Sequence, residues 1–156
     1  YPYGSAFLTR VDEARIREAA AVFGVEEHLE EDCSHLSQGQ RQLVLLAELL
    51  VQDTPVLLLD EPDTALDYDN THTMFQTLRT LVTQRKKGAL LVLHNPKQAL
   101  RWCDRLLLLR NGEQVGLLIT KDAEASTVES ALQELYPKIH VWADPHSRRF
   151  RCDTEK

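Results

Sequence analysis

The sequence predicts an α/β fold with a largely parallel sheet and a helical subdomain. Two short segments, residues 56–59 and 89–93, are apolar at every position, which is typical of strands buried on both faces of a parallel sheet. Segments rich in helix formers separate and follow them, and buried strands that alternate with helices indicate an α/β domain. The first helices precede any strand, so the early part of the chain is expected to form a helical subdomain.

The first half of the chain contains two predicted helices. Residues 11–24 are rich in alanine and other helix formers and end at Gly24, a residue type that commonly terminates helices. A polar stretch over residues 25–35 predicts a short helix and a loop. Ser37 can cap a second helix over residues 38–51, whose apolar stripe consists of Leu43, Leu46, Ala47 and Leu50.

The second half of the chain continues the alternation and contains two hairpin signals. Asn111-Gly112 lies between the apolar segments 106–110 and 114–119, and this dipeptide strongly favours a tight antiparallel turn. Residues 139–152 predict a weaker hairpin around Asp144-Pro145. The remaining predicted helices cover residues 68–86, 96–103 and 126–136.

Composition argues against several classes of function. The 156 residues carry a formal net charge of −6, which disfavours non-specific binding to nucleic acid because such binding requires clustered Lys and Arg. Three widely spaced cysteines, Cys33, Cys103 and Cys152, argue against a disulfide framework or a zinc site and fit a reducing compartment. No apolar run approaches the ~20 residues that span a bilayer. We therefore expect a soluble protein with no nucleic-acid partner.

Residues 36–40, LSQGQ, lie at the start of the second predicted helix. A helix start presents free N–H groups and the positive end of the dipole, which suits an anion such as a nucleotide phosphate. Ser37 adds a hydroxyl, and Gly39 lets the backbone approach a ligand closely. The alternative is an ordinary N-cap with a nearby glycine, and this segment alone does not separate the two interpretations.

Two acidic residues, Asp60 and Glu61, follow the first apolar segment. A carboxylate at a strand end can hold Mg²⁺, which prefers oxygen ligands and retains several waters. An adjacent glutamate can polarise an attacking water. The alternative is a strand that ends in an acidic turn at Pro62. Because ligands bind at the carboxyl ends of the strands in such sheets, the functional interpretation is favoured.

Two further candidate site residues are His94 and Asp67. His94 directly follows the second apolar segment, so we expect it beside Asp60 and Glu61, where an imidazole can contact a phosphate or a water. A lone histidine at a strand end is more often only a satisfied polar residue. Asp67 lies six residues after Glu61, and in isolation it is better interpreted as an N-cap of the following helix.

Taken together, these segments closely resemble the ATPase domain of the ABC transporter family. LSQGQ at 36–40 resembles the signature motif, and VLLLDEP at 56–62 resembles the Walker B strand with the catalytic glutamate. TALD at 64–67 resembles the D-loop, and His94 resembles the switch histidine. The order matches that of the family, and four matches in register are highly specific. The resemblance implies the C-terminal part of a P-loop NTPase domain of the ABC type.

The resemblance implies a role for each candidate site residue. Asp60 would organise Mg²⁺, Glu61 would activate water, and His94 would sense the γ-phosphate of ATP. In this family two ATPase domains meet head to tail, and each ATP is held by the phosphate loop of one subunit and the signature motif of the other. The residues that would face the nucleotide of the opposing subunit are Ser37, Gln38, Gly39, Gln40 and Asp67.

The resemblance also divides the chain and narrows the subfamily. Residues 1–54 would form the helical subdomain, residues 55–120 the catalytic α/β part, and residues 121–156 a C-terminal helix and tail. Weaker similarities point to importers of iron-siderophores, haem and cobalamin. They lie in the opening Tyr1-Pro2-Tyr3, in residues 102–105 and 110–113, and in the tail around Tyr136.

The phosphate loop of the family, G-x-x-x-x-G-K-[ST], does not occur in these 156 residues. Because its N–H cradle and lysine supply most of the grip on the phosphates, this chain alone is expected to be inactive. Met74 is the only methionine, from which we expect further residues upstream in the native protein. Smaller departures are Gln38 in place of glycine, Asp63 in place of threonine and Asn95 in place of aspartate.

The complete protein is expected to be a homodimeric ATPase subunit of an ABC importer. It would lie in the cytoplasm, on the inner face of the cell membrane, through a permease that docks on the helical subdomain. Two alternatives stay open. One is a non-transport ABC ATPase, which long heptads or a second cassette would favour, and neither occurs in this sequence. The other is a non-catalytic module whose signature face completes the ATP site of a partner.

Overall fold

The structure, a computed structural model, describes residues 10–147 and 149–154. The opening Tyr1-Pro2-Tyr3 lies outside the described residues. The chain separates into two compact units, Tyr1–Val92 and Leu93–Lys156. These units cut across the predicted segment 55–120, so the division into three functional segments stays a prediction. Each unit is described by itself.

The first unit contains three α-helices and two strands, and their bounds follow local sequence signals. The first helix ends where Gly24 adopts a positive φ of 64°, a conformation that glycine allows without strain. The third ends two residues earlier than predicted, before Lys86 at a φ of 53°. The elements are α1 (Arg10–Phe23), a 3₁₀ turn (Glu26–His28), α2 (Gln38–Gln52), β1 (Val56–Asp60), α3 (Tyr68–Gln84) and β2 (Gly88–Val92).

The core of the first unit lies between its helices and one face of its sheet. Strands β1 and β2 pair in parallel, with Val56 opposite Gly88 and Asp60 opposite Val92. The apolar faces of α1, α2 and α3 are buried, as their helical spacing predicts. The buried side chains include Ala20, Phe23, Leu43, Leu46, Leu57, Leu59, Met74, Phe75 and Leu78.

The predicted burial of these strands on both faces is wrong for the described residues. Leu57 and Leu59 are buried, whereas Leu58, which points to the opposite face, is 70% exposed. Side chains alternate between the two faces of a strand, and the helices of the unit bury only one of them. Four apolar side chains therefore form an exposed face, which we call the open sheet face and which consists of Val56, Leu58, Leu90 and Val92.

The second unit contains two antiparallel hairpins and two helices. The predicted Asn111-Gly112 turn is confirmed, with positive φ angles of 54° and 82° that suit the twist of a two-residue hairpin. The predicted tail hairpin is also confirmed. The elements are α4 (Pro96–Trp102), β3 (Arg105–Arg110), β4 (Glu113–Ile119), α5 (Ala125–Gln133), β5 (Ile139–Ala143) and β6 (Phe150–Thr154).

The described strands form three two-stranded sheets rather than one largely parallel sheet. Only β1 and β2 are parallel, while β3–β4 and β5–β6 are antiparallel. The α/β class itself is confirmed, since helices and strands alternate in both units. Within residues 10–147 and 149–154, none of the helices combines the length and apolar character needed to cross a bilayer.

Candidate functional site

The LSQGQ segment begins α2 with a reciprocal cap. The Gln40 N–H donates to Ser37 Oγ over 3.2 Å, and the Ser37 N–H donates to Gln40 Oε1 over 2.8 Å. This arrangement is a capping box, which satisfies two donors at the start of the helix. The N–H groups of Gln38 and Gly39 have no acceptor within a helix at this position. They are the groups best placed to receive an anion.

Gly39 is held against the segment that contains Asp67. A β-carbon built on Gly39 would lie 3.0 Å from the carbonyl oxygen of Ala65. One turn further along α2, Gln42 Nε2 donates to the Pro62 carbonyl oxygen over 3.2 Å. The start of α2 therefore packs directly on residues 62–65. The structure brings the LSQGQ segment and the residues after Glu61 together within the first unit.

His28 supports the LSQGQ segment and was not anticipated from the sequence. Gln40 Nε2 lies 2.9 Å from His28 Nε2. Because Gln40 Oε1 already accepts from Ser37, the amide nitrogen must be the atom that faces the ring, and His28 Nε2 must accept. His28 Nδ1 lies 3.2 Å from Glu31 Oε1. The two residues are 12 positions apart, beyond any spacing that a helix pattern reveals.

Asp60 and Glu61 lie at the carboxyl end of β1, as predicted. Asp60 is exposed and is paired in register with Val92. Because alternate residues share a face, Asp60 lies on the same side of the strand as Leu58. Its carboxylate is an oxygen donor of the type that Mg²⁺ prefers. Within the described residues no group of three or more His, Cys, Asp or Glu side chains is arranged so that it could hold a metal ion.

Glu61 turns the chain away from the sheet in an unusual conformation. Its φ is 44°, a left-handed value that costs energy for a residue with a β-carbon. Its N–H donates to the Val92 carbonyl oxygen over 3.1 Å, and its carboxylate accepts from the Thr64 hydroxyl over 3.3 Å. These bonds hold the backbone and side chain of Glu61 at the strand end. Such strain is typical of functional sites.

Asp67 is the N-cap of α3. Its carboxylate accepts from the Asn70 N–H over 2.8 Å and from Asn70 Nδ2 over 3.1 Å. The alternative interpretation from the sequence, a helix cap, is therefore correct as local structure. The side chain is also exposed, so it remains accessible to a second molecule while it caps.

His94 lies in the second unit, directly before α4. Asn95 caps that helix by accepting from the Lys97 N–H over 2.9 Å. The carbonyl oxygen of His94 accepts from the Tyr136 hydroxyl over 2.9 Å. The expected placement of His94 beside Asp60 and Glu61 stays a prediction, whereas the other candidates (Ser37, Gln38, Gly39, Gln40, Asp60, Glu61 and Asp67) all lie in the first unit.

Comparison with known sequences relates the chain to ATP-binding proteins. Residues 5–64 match the family described as ABC transporter. The cobalamin import ATP-binding protein BtuD of Halobacterium salinarum is 36% identical over 112 residues, 72% of this chain and 28% of that protein. The hemin import ATP-binding protein HmuV of Hydrogenovibrio crunogenus is 33% identical over 143 residues, 86% of this chain and 54% of that protein.

A third relative shows a similar degree of identity. The thiamine import ATP-binding protein ThiQ of Haemophilus influenzae is 37% identical over 106 residues, 68% of this chain and 49% of that protein. The chain thus spans from about a quarter to about half of the length of the curated relatives it matches.

Comparison with solved structures supports the fold. A metal-chelate type ABC transporter in an inward-facing conformation gives a TM-score of 0.79 at 20% identity, covering 100% of this chain and 61% of that chain. A dimeric ATP-binding cassette in a post-hydrolysis state, bound to ADP and Pi, gives a TM-score of 0.67 at 28% identity. The match covers 75% of this chain and 50% of the cassette.

Proposed function

This chain belongs to the ABC transporter family of ATP-binding proteins, and from that premise we propose that it supplies the signature and catalytic-acid half of an importer ATPase. The observation that carries the proposal is the packing of α2 on residues 62–65. Gly39 lies against the Ala65 carbonyl, and Gln42 donates to Pro62. The two segments that resemble the signature motif and the D-loop therefore form one surface of the first unit.

Asp60 and Glu61, at the carboxyl end of β1, would have different roles. Asp60 would help hold Mg²⁺, which when bound neutralises charge on phosphate oxygens. Glu61 would accept a hydrogen bond from the attacking water and polarise it. The Thr64 hydroxyl and the Val92 carbonyl, which bind Glu61, would keep its carboxylate oriented during this step.

The residues at the start of α2 would meet the nucleotide held by a second ATPase subunit. The N–H groups of Gln38 and Gly39 and the hydroxyl of Ser37 offer donors to a γ-phosphate at the positive end of the helix dipole. Gln40 would stabilise the capped start of α2 through its hydrogen bond with Ser37. Asp67 would bridge the subunit interface. These roles require a head-to-tail homodimer.

His94 would contact the γ-phosphate or the attacking water. Its position two residues after the end of β2 supports this role, since ligands bind at the carboxyl ends of parallel strands. An imidazole can donate or accept a proton near neutral pH. The position of His94 would therefore depend on whether the γ-phosphate is present, and α4, which follows His94, would respond to that difference.

The transported substrate is proposed to be a metal chelate: an iron-siderophore, haem or cobalamin. Two of the relatives named above are import proteins for cobalamin and hemin. The ATPase would act in the cytoplasm, attached to a membrane permease through the helical subdomain. A thiamine or phosphonate importer is the competing assignment, because relatives with those names show similar identity.

The 156-residue chain alone is proposed not to hydrolyse ATP. It contains no phosphate loop sequence, so Asp60 and Glu61 have no bound phosphate to act on. We propose that the segment with the phosphate loop packs on the open sheet face in the complete protein, because the four apolar side chains of this face are exposed in the chain alone. The proposal fails if the native sequence upstream contains no phosphate loop within roughly 100 residues, the scale of one domain.

The decisive experiment compares ATP turnover by the chain alone and by the chain joined to its native upstream residues. We expect turnover only from the joined protein, with Glu61→Gln abolishing it while ATP still binds. Glu113→Gln, on the exposed end of β4, is the matched control and should leave turnover unchanged. If the joined protein binds a homologous subunit and supports turnover only at the partner's site, the chain is a non-catalytic module instead.

A further inference from the structure

The backbone at His94 is tied to a residue 42 positions later in the chain. The Tyr136 hydroxyl donates to the His94 carbonyl oxygen over 2.9 Å. Tyr136 follows the end of α5, and its own N–H donates to the Leu132 carbonyl over 2.8 Å. Since Leu132 is buried in the core of the second unit, the phenol projects from an anchored backbone. The bond therefore connects His94 to a fixed point rather than to a mobile tail.

Both ends of α4, the helix after His94, are held by the tail hairpin. At its first turn, Lys97 Nζ lies 3.0 Å from Asp153 Oδ1 on β6. At its last turn, Arg149 Nη1 donates to the Cys103 carbonyl over 2.7 Å, and Arg149 Nη2 lies 2.9 Å from Asp104 Oδ1.

Between these ends, α4 is anchored in the core of the second unit. Leu100 is fully buried in the same apolar cluster as Cys152 of β6. The helix therefore has little freedom to shift along the hairpin.

We propose that Tyr136 is a positioning residue for His94, and that the C-terminal hairpin and α5 form a brace that sets where this histidine can reach. The proposal rests on the role given to His94 above. A hydrogen bond to the His94 carbonyl restrains the peptide plane that follows His94, and so narrows the backbone conformations from which its side chain projects. The brace thereby places the imidazole before any nucleotide is present, which reduces the entropy lost on reaching the reactive geometry.

The chemistry of the two groups fits this role. Burial raises the pKa of the Tyr136 hydroxyl, so the phenol stays protonated and available as a donor throughout the physiological range. The acceptor is a backbone oxygen, so the bond does not depend on the protonation state of the imidazole.

Turnover in the complete ATPase is the first test. Tyr136→Phe removes the hydroxyl and keeps the ring, and we expect kcat to fall about two- to tenfold, the range that one net hydrogen bond supplies, with KM for ATP unchanged. Tyr68→Phe, whose ring is 72% exposed, is the matched control and should retain full activity. In a His94→Ala background, Tyr136→Phe should cause no further loss, because the two changes act through one group.

A second readout uses the 156-residue chain and needs no activity. In spectra of the chain labelled with ¹⁵N-histidine, Tyr136→Phe should shift the resonances of His94, while Tyr68→Phe should not. An unshifted His94 signal overturns the positioning role. An equal loss of turnover in the His94→Ala background also overturns it, since that result marks a purely structural effect.

A different combination of results would show that the role proposed for His94 is wrong while the contact with Tyr136 still positions it. If His94→Ala leaves turnover intact while Tyr136→Phe still shifts the His94 resonances, the brace exists but His94 has no catalytic role.

Discussion

Leu58 of β1 and Leu90 of β2 are register partners in the parallel sheet, and both are largely exposed, at 70% and 62%. Contiguous apolar surface of this kind marks a site of association. We therefore predict that the chain by itself self-associates through the open sheet face. Leu58→Lys should lower the apparent mass in light scattering.

The control for this prediction is Val11→Lys, on α1, where the side chain is 62% exposed but lies outside the open sheet face. It should leave the association unchanged. A monodisperse monomer of the unaltered chain would contradict the prediction.

Gly39 is predicted to be intolerant of a side chain. Alanine is the better helix former by about 1 kcal/mol, but its β-carbon would lie 3.0 Å from the Ala65 carbonyl, a backbone atom that cannot rotate away. We expect Gly39→Ala to destabilise the fold by about 1–2 kcal/mol, as overpacking commonly does, in urea unfolding followed by circular dichroism. Gly88→Ala is the control, because its β-carbon would meet Val56 at an ordinary 3.6 Å. Equal stability of the two variants would count against the close packing.

His28 is predicted to stabilise the start of α2. Its side chain is only 11% exposed, and its loss would leave the Gln40 amide without its ring partner. We expect His28→Ala to cost about 1–2 kcal/mol, the range for a part-buried polar group that loses a hydrogen bond. The exposed His35→Ala, seven residues along the same connection, should be nearly neutral. A midpoint of unfolding that is the same for both variants would show that the His28–Gln40 contact contributes nothing.

Asp53 is predicted to make the free energy of unfolding depend on pH in the acid range. The hydrogen bond and charge of Lys87 lower the pKa of Asp53 below its ordinary value of 3.8. A carboxyl whose pKa is lowered on folding stabilises the protein above its unfolded pKa, and this contribution disappears as the pH falls through the folded pKa. Asp53→Asn should therefore lower the free energy of unfolding at pH 7, and the two proteins should converge as the pH falls below 3.8 and through the lowered folded pKa of Asp53.

The matched control for Asp53→Asn is Asp122→Asn, at an exposed position in the second unit. It should change the free energy of unfolding at pH 7 less than Asp53→Asn does. A difference between Asp53→Asn and the unaltered chain that persists at the lowest pH would assign the effect to packing rather than to charge.

Local signals in the sequence predicted most of the fold. The cap at Ser37, the turn at Asn111-Gly112 and the helix starts depend on residues within one or two turns, so the chain itself specifies them. The burial of β1 was mispredicted because an unbroken apolar run does not reveal what covers its second face. Contacts such as His28–Gln40 and Tyr136–His94 join residues far apart in the chain, and a single sequence contains no signal for such pairs.

In the candidate site, too, features set by neighbouring residues were predicted, whereas contacts between distant residues were not. The sequence identified Asp60, Glu61 and the LSQGQ segment by their place at a strand end and a helix start. It did not reveal that Gln42 and Gly39 hold that helix against residues 62–65, because this contact depends on the tertiary packing of the first unit. Candidate side chains that follow a local pattern are thus easier to select from the sequence than the distant neighbours that contact them.

Asp60 and Leu58 share one side of β1, and this placement couples two events. The proposed segment on Leu58 would also displace water from around the Asp60 carboxylate, which would lower the local dielectric and strengthen the attraction of this carboxylate for a cation. The cation in turn compensates for the cost of dehydrating that carboxylate. If Asp60 helps to hold a divalent ion as proposed, affinity for that ion and affinity for the proposed covering segment would be linked, and each would rise by the same factor when the other is bound.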